Sequence, residues 1–150
     1  MLTKQSVEVS GMYSTVWQFK VRFAETDAAG IVYYPNFYKW MDQATHEMFE
    51  SIGFPTNKLL AEQKGVPLVE AQCQFLKPLY LSDYIKLVSL VEEVRSKVVK
   101  IRHTFYRGDE LVSEGYEIRA WVSMSEGNLK AQSIPEDLRQ ILTSSFGVNK

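Results

Sequence analysis

Cysteine occurs once in the 150 residues, at Cys73, so the chain can form no internal disulfide. A reducing cytoplasm is the expected setting. Its neighbours Gln72 and Gln74 activate no thiol, and Cys73 reads as a small half-buried apolar residue rather than a nucleophile. Histidine is nearly as scarce, with His46 and His103 the only two. Without a cluster of cysteine and histidine a metal site is not expected, and neither is any cofactor. Neither sign of charge dominates: 17 Lys and Arg stand against 18 Asp and Glu, a net charge of -1. Binding to nucleic acid or to membranes through charge needs a basic excess, so both partner classes are set aside. No apolar run reaches the roughly 18 residues of a membrane helix. The opening "MLTKQSVEVSGMYS" has no apolar signal core. Neither export nor a membrane span is expected.

What is present is apolar substance: 45% of the residues are hydrophobic, enough for one core and one domain over 1–150. Residues 1–14 and 145–150 are expected to be loosely ordered. The segment 16–24, "VWQFKVRFA", alternates Val16, Phe19, Val21 and Phe23 with Gln18, Lys20 and Arg22, as a half-buried strand does. Pro35 sits where a first helical turn tolerates its missing N–H. Phe37, Trp40, Met41, Ala44, Met48 and Ile52 then recur at spacings of three and four, the apolar face of a long helix. Gly53 ends it. "PTNKLLAEQKG" suggests a second, short helix. Strands are read at 66–77, 83–95, 97–107 and 110–124, with a short one near 129–133 and a terminal helix at 135–142. One long helix on one curved antiparallel sheet of five to six strands is an α+β solution. Such a sheet exposes edges, so at least a dimer is expected.

Between the first strand and the helix lies "ETDAAGIVYYPNF", a carboxylate followed by small residues and then a greasy run. "VRFAETDAAGIVYYPNFYKWMDQA" resembles the signature segment of the hotdog-fold acyl-CoA thioesterases, closest to the 4-hydroxybenzoyl-CoA thioesterase type. In that family a strand precedes T/C-D-x-x-G-I/V-V, two aromatics, P/A, N/S and Y/F, and the helix then lies inside the sheet. Here Asp27, Gly30, Ile31, Val32, Tyr33, Tyr34, Pro35, Asn36 and Phe37 fill these places in order. The resemblance implies a hotdog fold, hydrolysis of an acyl-CoA to acid and CoA, and dimers assembling into tetramers. CoA would be part of the substrate, not a cofactor.

A thioester carbonyl needs a group that attacks it or activates water, and a donor for the oxygen that turns negative. The resemblance assigns the first role to Asp27. It assigns the second to the backbone N–H seven residues on, at Tyr34, where the helix begins and Pro35 has no N–H. Asp27 stands eight residues before Pro35, too far to cap that helix. Glu25 reads as a solvated strand-end charge. Asp42 and His46 are four apart and can meet on the helix. The aryl-CoA members carry a ring-facing aspartate fifteen residues after the first, which is Asp42 here. CoA phosphates ask for Arg and Lys. "EVRSKVVKIRH" resembles the family's basic segment, keeping Arg95 and Lys97 but with Ser96 where a second arginine would stand; Lys130 falls on a further basic position.

Aromatic Tyr34, Phe37 and Tyr38 favour an aromatic acyl group such as hydroxybenzoyl, with short-chain aliphatic acyl-CoA as the alternative. A hotdog dehydratase would carry a histidine near the helix start, and residues 1 to 45 contain none. A non-catalytic CoA- or carrier-binding module would bind without turnover, and the presence of Asp27 argues against it.

Overall fold

The computed structural model describes residues 2–3 and 12–144. In chain order the elements are β1 (Leu2–Thr3), β2 (Ser14–Lys20), α1 (Pro35–Ser51), α2 (Thr56–Ala61), β3 (Lys64–Gly65), β4 (Leu68–Phe75), β5 (Tyr84–Val94), β6 (Val98–Arg107), β7 (Glu110–Ala120), β8 (Val122–Ser123), β9 (Lys130–Ala131) and α3 (Glu136–Leu142). The main sheet is antiparallel in the order β1-β2-β5-β6-β7-β4, and β3, β8 and β9 form a small second sheet. The expected α+β hotdog arrangement, a long helix on a curved antiparallel sheet, is what the chain adopts. Among the described residues no helix is long and apolar enough to cross a membrane.

Several boundaries differ from the expectation. The first strand ends at Lys20, and Phe23–Glu25 form a short 3-10 turn. Phe23, placed on the buried face by alternation, is 78% exposed. Tyr13 and Ser14, expected to be loose, are fully buried, Met12 packs against the core, and Leu2–Thr3 pair with β2; residues 1, 4–11 and 145–150 of that expectation lie outside the described residues. The segment 129–133 contributes only Lys130–Ala131, paired to β8 and not to the main sheet. The strands after α1 are also not a simple meander. β4 pairs with β7, and β5 returns beside β2. Residues 76–83 carry the chain across, tied by Leu76 N–H and Lys77 N–H to Val112 O, and by Ser82 N–H to Val21 O.

Helix α1 begins at Pro35, as its fixed φ and missing N–H favour. It ends in a Schellman motif: Phe54 N–H reaches Phe49 O at 2.8 Å and Gly53 N–H reaches Glu50 O at 3.1 Å. Gly53 takes the left-handed φ of +94° that this cap requires. Phe37, Trp40, Met41, Ala44, Thr45, Met48 and Phe49 are buried against the sheet. Each large apolar side chain among them contributes about 1.5–3 kcal/mol by leaving water.

The apolar core has two parts. Around the first half of α1 lie Phe37, Trp40, Met41, Leu87, Phe105 and Val112, and around its second half Met48, Phe49, Ile101, Trp121, Leu138 and Leu142. Between them, buried side chains of Thr45, Ser89, His103, Glu117 and Arg119 form a polar layer. Beside this layer Met41 of α1 lies against Gly115 of β7. Gly115 on β7 has no side chain to obstruct it: a Cβ there would stand 3.1 Å from Met41 Sδ and 2.2 Å from Gln72 O of the neighbouring strand. Gly115→Ala should therefore force β7 and β4 apart and displace the Met41 side chain of α1. We expect a loss of about 1–3 kcal/mol, read as a Tm lowered by several degrees in thermal unfolding.

Candidate active site

The loop between β2 and α1 is tied into a fixed shape. Thr26 and Val32 form an antiparallel bridge. Asp27 N–H donates to Ile31 O and Gly30 N–H to Asp27 O, both at 2.9 Å. Gly30 turns the chain with φ +82°. Ala29 N–H donates to Asp27 Oδ1 at 2.9 Å, an Asx turn. The Asp27 carboxylate is exposed, with one oxygen holding the loop and Oδ2 without a partner among the described residues.

Glu25 fastens this loop to α1 and is no solvated strand-end charge. Its carboxylate accepts Arg22 N–H at 2.7 Å and Trp40 Nε1–H at 3.1 Å. Its carbonyl accepts Asn36 Nδ2–H and Tyr33 N–H, both at 2.9 Å. With both oxygens engaged, Glu25 is a bracket for the helix start. Tyr34 then stands as the residue before Pro35, in helical conformation at φ -55°. Its N–H meets no acceptor among the described residues, and its carbonyl is taken by Phe37 N–H. Asp27 and Tyr34 lie at the same end of α1, and no hydrogen bond joins them. An open apolar groove of about 550 Å³ starts here, lined by Ile31, Val32, Tyr34, Phe75, Leu76, Lys77 and Pro78.

Along α1 the side chains of Tyr34, Tyr38, Asp42 and His46 recur every four residues on the face that the sheet leaves open. Phe75, at the end of the edge strand β4, packs edge-on against this face, with ring centroids 6.0 Å from Tyr34, 5.1 Å from Phe37 and 6.4 Å from Tyr38. An aromatic wall thus leads from the free Tyr34 N–H toward Asp42, two helical turns or about 12 Å further on.

Asp42 is not a free surface carboxylate. Arg119 Nη2 donates to Asp42 Oδ1 at 2.6 Å, and His46 Nε2 is 3.5 Å from the same oxygen. Arg119 comes from the buried polar layer. Its Nε and Nη2 grip Glu117 Oε1 and Oε2 at 3.1 and 2.8 Å, and Nη1 donates to Val66 O at 3.0 Å. Thr45 Oγ1 donates to Glu117 Oε1 in a short bond, and His103 Nε2 lies 3.3 Å from that oxygen. Ser89 Oγ is 2.8 Å from His103 Nδ1. The tautomer with hydrogen on Nε2, donating to Glu117 and accepting from Ser89, satisfies both ring nitrogens. Burial would push the Glu117 carboxyl up, but hydrogen bonds from His103 and Arg119 outweigh it and hold the pKa at about 2. Cys73 is half-buried against Ser113 Oγ at 3.2 Å, and burial pushes its thiol up, away from nucleophilic use.

The glutamate and arginine of this layer escape a reading by hydrophobic pattern. In "SEGYEIRA" the apolar Tyr116 and Ile118 point outward, while Glu117 and Arg119 point in. The usable signal is the period of two itself, since Gly115, Glu117 and Arg119 share one face.

The basic residues lie elsewhere. Arg95 and Lys97 flank the β5–β6 turn at the far end of the sheet, where α1 finishes. Phe105, whose ring is 5.3 Å from that of Phe37, is seven residues along β6 from Val98. That is roughly 23 Å of strand. Arg95 is held by Glu93, Nε to Oε2 at 2.7 Å. Lys97 and Lys130 are exposed, on neighbouring strand ends tied by Trp121 N–H to Lys97 O and by the pairing of Lys130 with Ser123. One chain therefore brings Asp27 and Tyr34 together and links them to Asp42 along one helix face. It does not bring them to Arg95, Lys97 or Lys130.

Comparison with known proteins gives concordant results. The sequence pattern of the thioesterase-like superfamily matches residues 21–142. The chain is 29% identical over 132 residues to the 4-hydroxybenzoyl-CoA thioesterase of Pseudomonas sp. (strain CBS-3), covering 83% of this chain and 94% of that protein. Its fold superposes on a gentisyl-coenzyme A thioesterase with TM-score 0.76 at 40% identity, covering 83% of this chain and 98% of the other. A mutant 4-hydroxybenzoyl-CoA thioesterase in complex with 4-hydroxybenzoyl-CoA matches with TM-score 0.78 at 26% identity, covering 86% and 98%.

The polar layer beneath Asp42 has a measurable consequence. The Glu117 carboxyl has a folded pKa of about 2 against an ordinary 4.5. An acid depressed by folding stabilises the native state above the ordinary value and loses that contribution as pH falls toward the folded one. Stability should therefore drop by a few kcal/mol between about pH 4.5 and 2 from this group. Glu117→Gln should be less stable at neutral pH, with a flatter profile in that window, measured by urea unfolding across pH. An unchanged acid slope in the variant would assign the loss to other carboxylates.

Proposed function

The chain belongs to the thioesterase-like superfamily, and from that premise we propose that this thioester hydrolase cleaves aromatic acyl-CoA, with a hydroxybenzoyl-type acyl group. Asp27 would be the nucleophile or general base, and the Tyr34 N–H the donor to the carbonyl oxygen as it becomes negative. The observation that carries the aromatic reading is the wall of Tyr34, Phe37, Tyr38 and Phe75 between that N–H and Asp42. Ring faces and edges pair favourably at such distances. Relatives named for 4-hydroxybenzoyl-CoA and gentisyl-CoA support it.

The chemistry follows from what each group offers. In the general-base route Asp27 takes a proton from water, whose oxygen attacks the carbonyl carbon. In the nucleophilic route a carboxylate oxygen attacks, giving an anhydride that water then opens. In both, the C–S bond breaks and CoA leaves as the thiol once protonated. The free Tyr34 N–H, at the positive end of α1, gains strength as the oxygen becomes charged. No further cofactor enters, since CoA arrives with the substrate. Asp42 would meet the ring hydroxyl.

The nucleotide would be met by a second copy. β4 is an edge strand carrying exposed Leu68, Val69 and Phe75. Antiparallel pairing of two β4 edges about a two-fold would set the Leu68 end of one chain beside the Phe75 end of the other. That brings the basic end of the partner's sheet toward Tyr34 and Asp27, which one chain alone does not achieve. Lys97 and Lys130 have no carboxylate partner among the described residues, whereas Arg95 is committed to Glu93. Pairs of dimers forming a tetramer would cover the remaining sheet surface. A single cysteine suits a reducing, cytoplasmic setting.

A panel of acyl-CoA thioesters assayed for thiol release tests the activity and its class. Aromatic substrates should exceed short aliphatic ones in kcat/KM, and preference for the aliphatic ones would replace the aromatic reading. Asp27→Asn should lower kcat by about 10²–10⁴-fold if Asp27 is a general base, with KM little changed because the Tyr34 N–H and the wall remain. Retention of more than about a tenth of kcat would move the chemistry to another group.

Two measurements test the assembly. Sedimentation at micromolar concentration should show a dimer or larger, and a monomer would remove the two-chain site. Lys97→Ala should raise KM about tenfold and leave kcat nearly unchanged, with a smaller effect for Arg95→Ala. A fall in kcat at constant KM would show that these residues do not bind the nucleotide.

A further inference from the structure

We propose that Arg119, locked by Glu117, is a positioning residue for Asp42, and that the preference for a hydroxylated over an unsubstituted acyl ring depends on this clamp. The inference rests on the reading of Asp42 as the group that meets the acyl ring.

Asp42 is 58% exposed on an open helix face, where a lone aspartate would turn among its rotamers. Arg119 removes that freedom. Its guanidinium is 3% exposed and has no slack of its own, being held by both oxygens of Glu117 and by Val66 O. Glu117 is in turn fixed by Thr45 and by His103, which Ser89 backs. The chain of contacts runs from the middle of the sheet to Asp42 Oδ1, which His46 Nε2 also approaches to 3.5 Å. Asp42 Oδ2 has no partner among the described residues, so a rigidly held carboxylate presents one vacant acceptor on the aromatic face of α1.

The charges define what that acceptor takes. One cation, Arg119, serves two carboxylates, Glu117 and Asp42. Asp42 Oδ2 is an acceptor, and a ring bearing a carboxylate has no proton to give it. A phenolic O–H donates to Oδ2 and is accepted. A planar fork that bonds Glu117 and Asp42 at once is a task for arginine, which the single ammonium of lysine does not reproduce.

The test compares kcat/KM for 4-hydroxybenzoyl-CoA with that for benzoyl-CoA in the wild type, Asp42→Ala, Arg119→Lys and the double variant. Cooperative thermal unfolding checks that each is folded. Asp42→Ala should lower the ratio about tenfold, the worth of one charge-assisted hydrogen bond. Arg119→Lys should lower it severalfold, through KM for the hydroxylated substrate. The double variant should fall no further than Asp42→Ala, because Arg119 acts through Asp42. A merely structural Arg119 would slow both substrates alike and leave the ratio intact; that outcome overturns the proposal and leaves the Asp42 reading standing. An unchanged ratio in Asp42→Ala overturns both. Should Arg119→Lys fail to fold, Glu117→Gln, which loosens the same clamp, must lower the ratio or the proposal falls.

Discussion

The site depends on how far α1 is slid along the sheet. One turn of helix is about 5.4 Å, so a slip of a single turn would carry Tyr34 away from the Asp27 loop. Three contacts at successive levels prevent it. At the start, Glu25 holds Trp40 and Asn36. Next to Trp40, Met41 enters the space that Gly115 leaves open. Next, Thr45 bonds Glu117 across the interior. The first is polar and local, the second steric, the third polar and buried, and together they fix the helix start. With that start fixed, Pro35 leaves the N–H ahead of it unpaired by the helix, and the loop carrying Asp27 is bound to the same bracket.

The buried layer of Thr45, Ser89, His103, Glu117 and Arg119 is hard to explain by stability. Apolar residues of similar volume often serve as well as a buried ion pair, because desolvating two charges costs as much as their attraction returns. Such a layer does resist one thing that an apolar seam permits, namely repacking with the helix shifted, because a shift would strand the Glu117 charge. It divides the core into two apolar halves and sets their registry. The same layer reaches the surface at Asp42, so a device that places the helix also places a side chain on its open face.

The helix limits were legible because each rests on local chemistry. Pro35 and Gly53 mark them, and the run from Phe37 to Met48 marks the buried face. The long strands were legible for the same reason. The dense segment around Asp27 gave the family and the fold. Strand order was not legible: nothing within "LVEAQCQF" says that it pairs with β7 rather than with the strand that follows it. That pairing is decided by the crossing at 76–83. Glu25 was misread because its two partners, Arg22 N–H and Trp40, meet only after the chain turns at Phe23. Arg119 and Glu117 are hidden from a hydrophobic pattern because, over residues 115–119 of β7, the apolar Tyr116 and Ile118 face away from the helix.

Glu25 and Asp27 pose the sharpest question for a reading from sequence, since they are alike in chemistry and two residues apart. The structure separates them by how many carboxylate oxygens are already engaged. Glu25 has given both, to Arg22 N–H and to Trp40, and Glu117 has given both to its neighbours in the layer. Asp27 has given one, to Ala29 N–H, and Asp42 one, to Arg119. A carboxylate bonded through both oxygens is rigid, and its charge is already shared among its own donors. One with neither bonded is available but unplaced. Asp27 and Asp42 are held through one oxygen and open through the other. Asp27 precedes the aromatic wall on α1 and Asp42 follows it along the helix, each a placed carboxylate with one open oxygen.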